Sequence, residues 1–215
     1  MTLPVPPRFD ADFRRTLTEL LAWRRDVRHF DTRPVDPAVL ERLLDIACLA
    51  PSVGHSQPWR FVRIVTPTVR SAIYAHVEQE VRVAGEIYAA DELAVYSRFK
   101  LQGLDQAPEW IAVYCDETGG AGRGLGRQTM PETLRYSVAM AVHTLWLAAR
   151  AEGLGLGWVS ILRPDHIDRI LLVPEGWRLV SLICIGWPQS ERPVPELERA
   201  GWQQRLPSAL TRFSR

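Results

Sequence analysis

TLRYSVAMAVHTLWLAARAEGLGLGWVSIL, residues 133–162, is the stretch that decides the fold. Its first part, 133–152, is apolar on most sides of a helix, which predicts the longest and most central helix of the protein. Gly153 follows where a helix C-cap is expected, and residues 156–162 predict a strand. A core helix that runs directly into a strand indicates a fold that combines helices with a sheet.

The flanking sequence supplies the other elements of this fold. Apolar and alternating segments predict strands at 59–65, 109–115 and 177–187, and helices at 11–24, 37–50, 67–88, 91–103 and 165–171. The glycine-rich stretch 119–126 predicts a loop. We therefore expect a single α+β domain over residues 1–215. Its central sheet is expected to be mostly antiparallel and flanked by helices, with a C-terminal arm at about 188–215.

The composition excludes several classes of protein. The 215 residues carry 26 basic and 25 acidic side chains, for a net charge of +1, so there is no basic excess of the kind that nucleic-acid binding requires. No apolar run approaches the ~18 residues of a membrane span, and the N-terminal stretch lacks the apolar core of a signal peptide. These features predict a soluble cytoplasmic protein that binds neither nucleic acid nor membrane.

The cysteines and histidines give no sign of a metal site. Cys48, Cys115 and Cys184 lie far apart in apolar settings with no CxxC pair, which predicts buried reduced thiols. The five histidines are scattered and form no HExxH motif, so no catalytic metal is expected. Lys100 is the only lysine, and an anion site in this chain would therefore consist largely of arginines.

An arginine cluster, RRDVR at 24–28, ends the first predicted helix. If the helix continues, Arg24 and Arg28 share a face, where their charges repel unless an anion such as phosphate lies between them. The alternative is structural, because arginines in a last turn complement the helix dipole and Asp26 can neutralise its neighbours.

Two further segments are candidates for ligand binding, one through its polar side chains and the other through backbone that its glycines leave uncovered. PSVGHSQPW, residues 51–59, predicts a rigid loop whose hydroxyl, imidazole and amide groups suit a polar heterocycle, although His55 could equally be an ordinary hydrogen-bonding loop residue. GLGLG, residues 153–157, enters a strand instead of a helix, so it is not the dinucleotide fingerprint. Its alternate glycines favour either a flat ring lying against the backbone or close packing of the strand.

Taken in order, RRDVR, PSVGHSQPWRF and GLGLGWVSI resemble the flavin-binding nitroreductase-like superfamily, whose corresponding elements build an FMN pocket at a homodimer interface. Within this superfamily the chain is most similar to the flavin destructases. The similarity rests on Asp26, Ser160, FKLQGLDQAP (99–108) and ELERAGWQQRLP (196–207). His55 departs from the asparagine of many nitroreductases. The resemblance implies oxygen-dependent fragmentation of reduced FMN to 5,6-dimethylbenzimidazole and erythrose 4-phosphate, which supplies the lower ligand of cobalamin.

The resemblance also implies a role for individual residues. Asp26 and Ser160 are the implied catalytic residues. The implied FMN-binding residues are Arg24, Arg25, Asp26, Val27, Arg28, Ser52, Gln57, Lys100, Leu101, Gly155, Ser160 and Arg205. Ser52 and Gln57 would come from the partner subunit of a homodimer, and the 80–92 region would supply a lid over the site. A separate flavin reductase is a further possible partner, since the sequence does not say how FMN is reduced.

Two other functions remain open from the sequence. An FMN-dependent NAD(P)H nitroreductase or oxidase would share the pocket and the dimer but recycle its flavin. A non-catalytic flavin-binding module would bind FMN and yield no new aromatic product in air. Product analysis distinguishes all three.

Overall fold

A computed structural model of the protein describes residues 6–97, 99, 103–207 and 211. Its helices are α1 (Ala11–Trp23), α2 (Pro37–Ala47), α3 (Pro67–Gly85), α4 (Ala90–Tyr96), α5 (Thr133–Ala151), α6 (Pro164–Leu171) and α7 (Glu196–Arg199). Its strands are β1 (Phe30–Asp31), β2 (Trp59–Arg63), β3 (Glu109–Asp116), β4 (Gly155–Val159) and β5 (Trp177–Pro188). Short 3-10 turns span Val53–His55 and Ala121–Gly124. This order of elements confirms the predicted α+β class.

The strands form an antiparallel sheet, as the sequence predicts. Its order is β1-β5-β3-β2, and β4 also pairs with β5. The twelve residues of β5 place it at the centre, because it pairs with β1, β3 and β4. The sheet therefore brings β4 close to β1, and the candidate site lies at this corner of the sheet.

Helices cover both faces of the sheet, and β3 alternates between them. One face packs against α2 and α5, and the other packs against α3 and α6. Ile111, Val113 and Cys115 point to the first face, whereas Trp110, Ala112 and Tyr114 point to the second. Helix α5 buries Val138, Val142 and Leu145 completely, which confirms it as the predicted core helix.

Helix ends follow the capping residues that the sequence contains. The Asp10 side chain accepts a hydrogen bond of 2.8 Å from the Phe13 amide at the start of α1. Asp36 likewise caps α2, whose first residue is proline. Gly153 has a φ of +76°, as expected for the residue that ends α5.

The structure corrects several details of the prediction. Helix α2 ends at Ala47 instead of 50, and β4 ends at Val159, so Ser160 begins a loop. Helix α4 spans Ala90–Tyr96, and residues 98 and 100–102 of the predicted helix 91–103 lie outside the described residues. Cys48 is exposed, contrary to the prediction of a buried thiol, because α2 ends at the buried Ala47 and Cys48 lies in the turn that follows. Cys115 and Cys184 are buried as predicted, and burial raises their pKa values to about 11 and about 12.

The apolar face of α1 is not covered by its own chain. The sequence places Phe13, Leu17, Leu20 and Leu21 on this face, but no residue of α1 is buried. Phe13, Leu17 and Leu21 expose 45%, 40% and 45% of their surface. A row of exposed large apolar side chains marks an interaction surface.

A stacked histidine pair, of which His76 is buried, lies on the other side of the sheet. His76 of α3 stacks on His166 of α6 with ring centroids 4.2 Å apart, and its Nε2 accepts a 2.9 Å hydrogen bond from the Arg163 amide. Burial lowers the pKa of His76, and the charges of His166, Arg163 and Arg169 lower it further, against the opposing effect of Glu80. The folded protein therefore favours neutral His76.

We expect this histidine to make the protein less stable in acid. Below about pH 6.5 the unfolded chain takes up a proton that folded His76 resists, so stability falls by up to about 1.4 kcal/mol per pH unit. Thermal unfolding of the wild type and of His76→Gln at pH 7.5 and 5.5 measures the effect. The glutamine can still accept from the Arg163 amide, so its loss of stability should be smaller. An equal loss in both proteins would contradict the assignment.

Candidate functional site

Residues 24–28 leave α1 as an extended segment that pairs with β4. Arg24 ends the helix with a ψ of 128°, so Arg24 and Arg28 do not share a helix face as the sequence suggested. The Val27 amide donates to the Leu156 carbonyl at 3.0 Å, and Asp26 forms a parallel bridge with Leu156. This pairing gives the Val27 amide a backbone acceptor in place of the helical one that is lost where α1 ends.

Two glycines of β4 make room for this segment. A Cβ on Gly155 would lie 2.6 Å from Cγ2 of Val27, and one on Gly157 would lie 2.3 Å from the Val27 carbonyl oxygen. The bare side of these glycines is therefore filled by Val27 and is not open to a flat ring, which supports the close-packing alternative. Binding of the flavin by Gly155 stays a prediction.

The two predicted catalytic residues lie near each other on this corner of the sheet. Oδ1 of Asp26 accepts a 2.9 Å hydrogen bond from the Trp158 amide, and Ser160 follows two residues later, exposed beyond the end of β4. Oδ2 of Asp26 accepts from Nε of Arg28 at 3.0 Å and also from its Nη2. The carboxylate is thus fixed at both oxygens, while 37% of the side chain stays exposed.

Arg24 and Arg25 make different contacts. The guanidinium carbon of Arg24 lies 4.8 Å from the ring centroid of Trp146, and its side chain makes no hydrogen bond to another described residue. Arg25 instead donates to the carbonyls of Arg24 and Pro193, which ties the C-terminal arm to the cluster. Its buried Nε has no hydrogen-bond partner in the described part of the chain.

The cluster concentrates positive charge. Burial lowers the pKa of Arg25, and the nearby charges of Arg24 and Arg205 lower it further, while Glu198 partly opposes them. Arg205 of the arm therefore lies close enough to the 24–28 segment for its charge to act on Arg25, and its binding of the FMN phosphate stays a prediction. Guanidinium groups that repel one another are a suitable place for a phosphate, because an anion relieves the repulsion and accepts their hydrogen bonds.

Three cavities of about 30, 140 and 240 Å³ adjoin the 24–28 segment. Arg25 lines all three, and Asp26 and Arg28 line the two larger ones. Pockets that bind ligands of drug size measure roughly 300 to 1,000 Å³, so each cavity alone holds only part of such a molecule. None of their described lining residues comes from the 51–59 loop.

The 51–59 loop is rigid and internally bonded. The Ser52 hydroxyl oxygen accepts from the Gln57 amide at 3.0 Å, and Nε2 of Gln57 lies 3.1 Å from Nε2 of His55. His55 and Gln57 have φ values of 56° and 47°, which are costly for residues other than glycine and are common at functional sites. The structure thus gives His55 a partner that the sequence did not reveal.

The C-terminal arm crosses the site and contacts the predicted lid region. Trp202 packs edge-on against Tyr88 and Phe99, with ring centroids 5.3 and 5.5 Å apart. Phe99 also lines the 140 Å³ cavity beside Asp26. Lys100 and Leu101, both predicted to bind FMN, lie outside the described residues. The lid function of residues 80–92 stays a prediction.

Sequence reasoning missed Trp146, Trp158 and Phe99. Trp146 lies within the apolar pattern of the core helix, which gave no sign that its indole contacts an arginine. Trp158 contributes through its backbone amide, for which no side-chain pattern exists. Phe99 stands inside the FKLQGLDQAP segment, so its place in that segment was the available signal.

The described residues contain neither a membrane-spanning helix nor a cluster of metal-binding side chains. In the part of the chain that the structure describes, no helix is both long enough and apolar enough to cross a membrane. The same residues contain no group of three or more His, Cys, Asp or Glu side chains that could hold a metal ion.

Comparisons with known proteins agree on one family. Residues 21–187 match the nitroreductase family. The chain is 52% identical to the 5,6-dimethylbenzimidazole synthase of Rhodospirillum rubrum, covering 96% of this chain and 98% of that protein. It is 48% identical to the synthase of the same name from Rhodobacter capsulatus, over 95% and 99%. A solved structure of iodotyrosine deiodinase bound to FMN and 3-iodo-L-tyrosine is similar at a TM-score of 0.70 and 25% identity, covering 82% of this chain and 92% of that one.

Proposed function

Since the chain belongs to the nitroreductase family, and within it groups with the 5,6-dimethylbenzimidazole synthases, we propose that it makes 5,6-dimethylbenzimidazole, the lower ligand of cobalamin. The proposed reaction is the oxygen-dependent fragmentation of reduced FMN to this product and erythrose 4-phosphate. Reduced FMN is then a substrate that is consumed, and dioxygen is the co-substrate. We propose a cytoplasmic enzyme whose reduced FMN comes from a separate flavin reductase.

The observation that carries this proposal is the position of Asp26. Its carboxylate accepts from the Trp158 amide on one oxygen and from Arg28 on the other. Trp158 stands two residues before Ser160, and Asp26 follows Arg24 and Arg25 directly in the chain. A carboxylate fixed in this way can accept and return a proton at one place relative to a bound substrate. Ser160 adds a hydroxyl that can donate a hydrogen bond beside it.

The arginines would orient the substrate through its phosphate. Arg24 offers N–H groups that bond to no other described residue, and Arg205 lies close enough to affect the pKa of Arg25. A phosphate bound between them would anchor the ribityl end of reduced FMN, so that the flavin ring extends toward Asp26 and Ser160. Because erythrose 4-phosphate keeps this phosphate, the same arginines would hold the leaving fragment.

The flavin ring supplies the oxygen chemistry when it is bound, and the protein must keep water away from it. The arm over the 24–28 segment and the contacts of Trp202 with Tyr88 and Phe99 would cover one side of the ring. The other side would need residues that this chain does not bring to the cavities, such as Ser52 and Gln57.

We propose that a second copy of the chain provides those residues in a homodimer. The cavities at the 24–28 segment are too small for a whole flavin, and the 51–59 loop contributes none of their described lining. The exposed apolar face of α1 provides a surface for the partner. A stable obligate dimer of this kind buries well over ~2,000 Å².

Leu17→Glu is expected to convert the dimer to a monomer that no longer binds FMN, because a carboxylate on the α1 face cannot be buried without a partner. Size-exclusion chromatography with light scattering measures the mass, and fluorescence titration measures FMN binding. Leu172→Glu, at an 86% exposed leucine after α6, is the matched control. A monomeric wild type with intact FMN binding would contradict the dimer.

The proposed function is tested by mixing the pure protein with chemically reduced FMN in air. We expect dimethylbenzimidazole, detected by mass spectrometry, in proportion to the flavin lost. Recovery of all the flavin as oxidised FMN would contradict the proposal and favour an oxidase that recycles its flavin. Binding of FMN with neither reaction would favour a flavin-binding module.

A further inference from the structure

We infer that Trp146 is a positioning residue that sets the phosphate selectivity of the site. This indole lies on α5, more than a hundred residues along the chain from the arginine cluster, and contacts two consecutive residues of it. Its ring lies under the Arg24 guanidinium at 4.8 Å, and its Nε1 donates a 3.0 Å hydrogen bond to the Arg25 carbonyl. The inference rests on the proposed function in placing the flavin phosphate at these arginines.

The geometry leaves the donors of Arg24 available for an anion. A guanidinium that stacks on an aromatic ring uses its face, whereas a phosphate accepts hydrogen bonds from its edge. The two contacts do not compete, so the ring can hold the side chain in place while its N–H groups point to the ligand. An arginine fixed in advance loses less side-chain entropy when the phosphate binds.

The hydrogen bond to Arg25 acts on the backbone that follows. It fixes the peptide between Arg25 and Asp26, immediately before the Val27 amide bonds to β4. The Trp146 indole therefore positions the Arg24 guanidinium, which donates hydrogen bonds to the phosphate, and also the backbone at the start of the extended 24–28 segment.

The other two arginines beside Trp146 already have hydrogen-bond partners, which leaves Arg24 as the group that Trp146 presents. Arg150 lies one helical turn after Trp146 and forms a bidentate ion pair with Glu191 of the arm, with Nη2 to Oε2 at 3.0 Å. Arg25 donates to two backbone carbonyls. All these groups line the cavity of about 30 Å³.

The protein contains a matched control with the same pair of contacts elsewhere. The Arg33 guanidinium lies 3.9 Å from the ring centroid of Trp187, whose Nε1 donates to the Pro34 carbonyl at 3.3 Å. This pair lines none of the three cavities at the 24–28 segment. Trp187→Phe thus removes an equivalent indole N–H outside the proposed site.

The test measures the dissociation constants of FMN and of riboflavin, which lacks the phosphate, for full-length wild type, Trp146→Phe, Trp146→Leu and Trp187→Phe. We expect Trp146→Phe to weaken FMN binding relative to riboflavin about five- to tenfold, because the ring face remains but the N–H is lost. Trp146→Leu should weaken it about ten- to a hundredfold. Trp187→Phe should leave the ratio of the two constants unchanged.

Riboflavin affinity reports whether each variant is folded. An unchanged ratio in both Trp146 variants, or an equal loss of both ligands, would overturn the positioning role. Equal affinities for FMN and riboflavin in the wild type would overturn it as well, since no phosphate selectivity would exist to be set. Absence of dimethylbenzimidazole in the product assay would contradict the proposed reaction and leave this result standing.

Discussion

Asp26→Asn is expected to lower the rate of dimethylbenzimidazole formation by about 100- to 10,000-fold, the usual cost of losing a positioned acid-base group. Asparagine has nearly the same shape, and its oxygen can still accept from the Trp158 amide. Its NH₂ group cannot take up a proton, however. In the variant this NH₂ group faces the N–H groups of Arg28 that donate to Oδ2 of Asp26 in the wild type. Reduced FMN should still bind and still be oxidised in air.

The measurement is product formed per flavin oxidised, together with the affinity for FMN, on the same variant. If Asp26 serves only as a counter-ion for Arg28, affinity or stability should fall while product per flavin stays normal. Asp116→Asn is the matched control, because Asp116 also accepts a backbone amide, from Thr118, and pairs with an arginine, Arg60 at 2.8 Å. Near-normal product yield from Asp26→Asn would defeat the catalytic assignment.

Arg24→Ala is expected to weaken FMN binding by about 10- to 150-fold, which corresponds to about 1.5 to 3 kcal/mol for one charge-assisted phosphate contact. Riboflavin affinity should change little, because riboflavin has no phosphate for Arg24 to bind. Arg25→Ala should act differently, since the Arg25 guanidinium donates to the Pro193 carbonyl and its loss frees the arm. Titration of both ligands into each variant measures these effects.

Arg33→Ala provides the control for the loss of a stacked arginine. Arg33 lies over Trp187 as Arg24 lies over Trp146, but away from the cavities of the 24–28 segment. Equal loss of FMN and riboflavin in Arg24→Ala would indicate a general structural effect. Equal affinities of the wild type for the two ligands would remove the phosphate assignment altogether.

Local sequence patterns predicted the elements of the fold well. Asp10 and Asp36 mark helix starts that the structure confirms, because capping depends on residues three positions apart or fewer. The apolar pattern of 133–152 predicted the buried helix α5 for the same local reason. The predicted helix 91–103 ends at Tyr96 in the structure, and residues 98 and 100–102 of that prediction lie outside the described residues. A helical pattern in the sequence does not by itself show where the helix ends.

The prediction of the candidate site depended more on the resemblance to a known family than on reasoning from the individual residues. RRDVR indicated an anion site, but its predicted helical geometry was wrong because the Val27 amide bonds to Leu156 across the fold. The roles of Asp26 and Ser160 came from the family pattern. The structure bonds the Asp26 carboxylate to the amide of Trp158, which stands two residues before Ser160. The Asp26→Asn experiment tests the catalytic role of Asp26.

By itself the sequence determined which residues form helices and strands, and through its ordered motifs the family. Those properties depend on side-chain periodicity, capping and glycine, all of which act within a few residues. Only the tertiary structure decided that Val27 fills the bare side of Gly155 and Gly157, that Trp146 holds Arg24, and that the arm reaches Arg25. These contacts join residues far apart in the chain, and they form because chain folding brings their surfaces together, which no local pattern encodes.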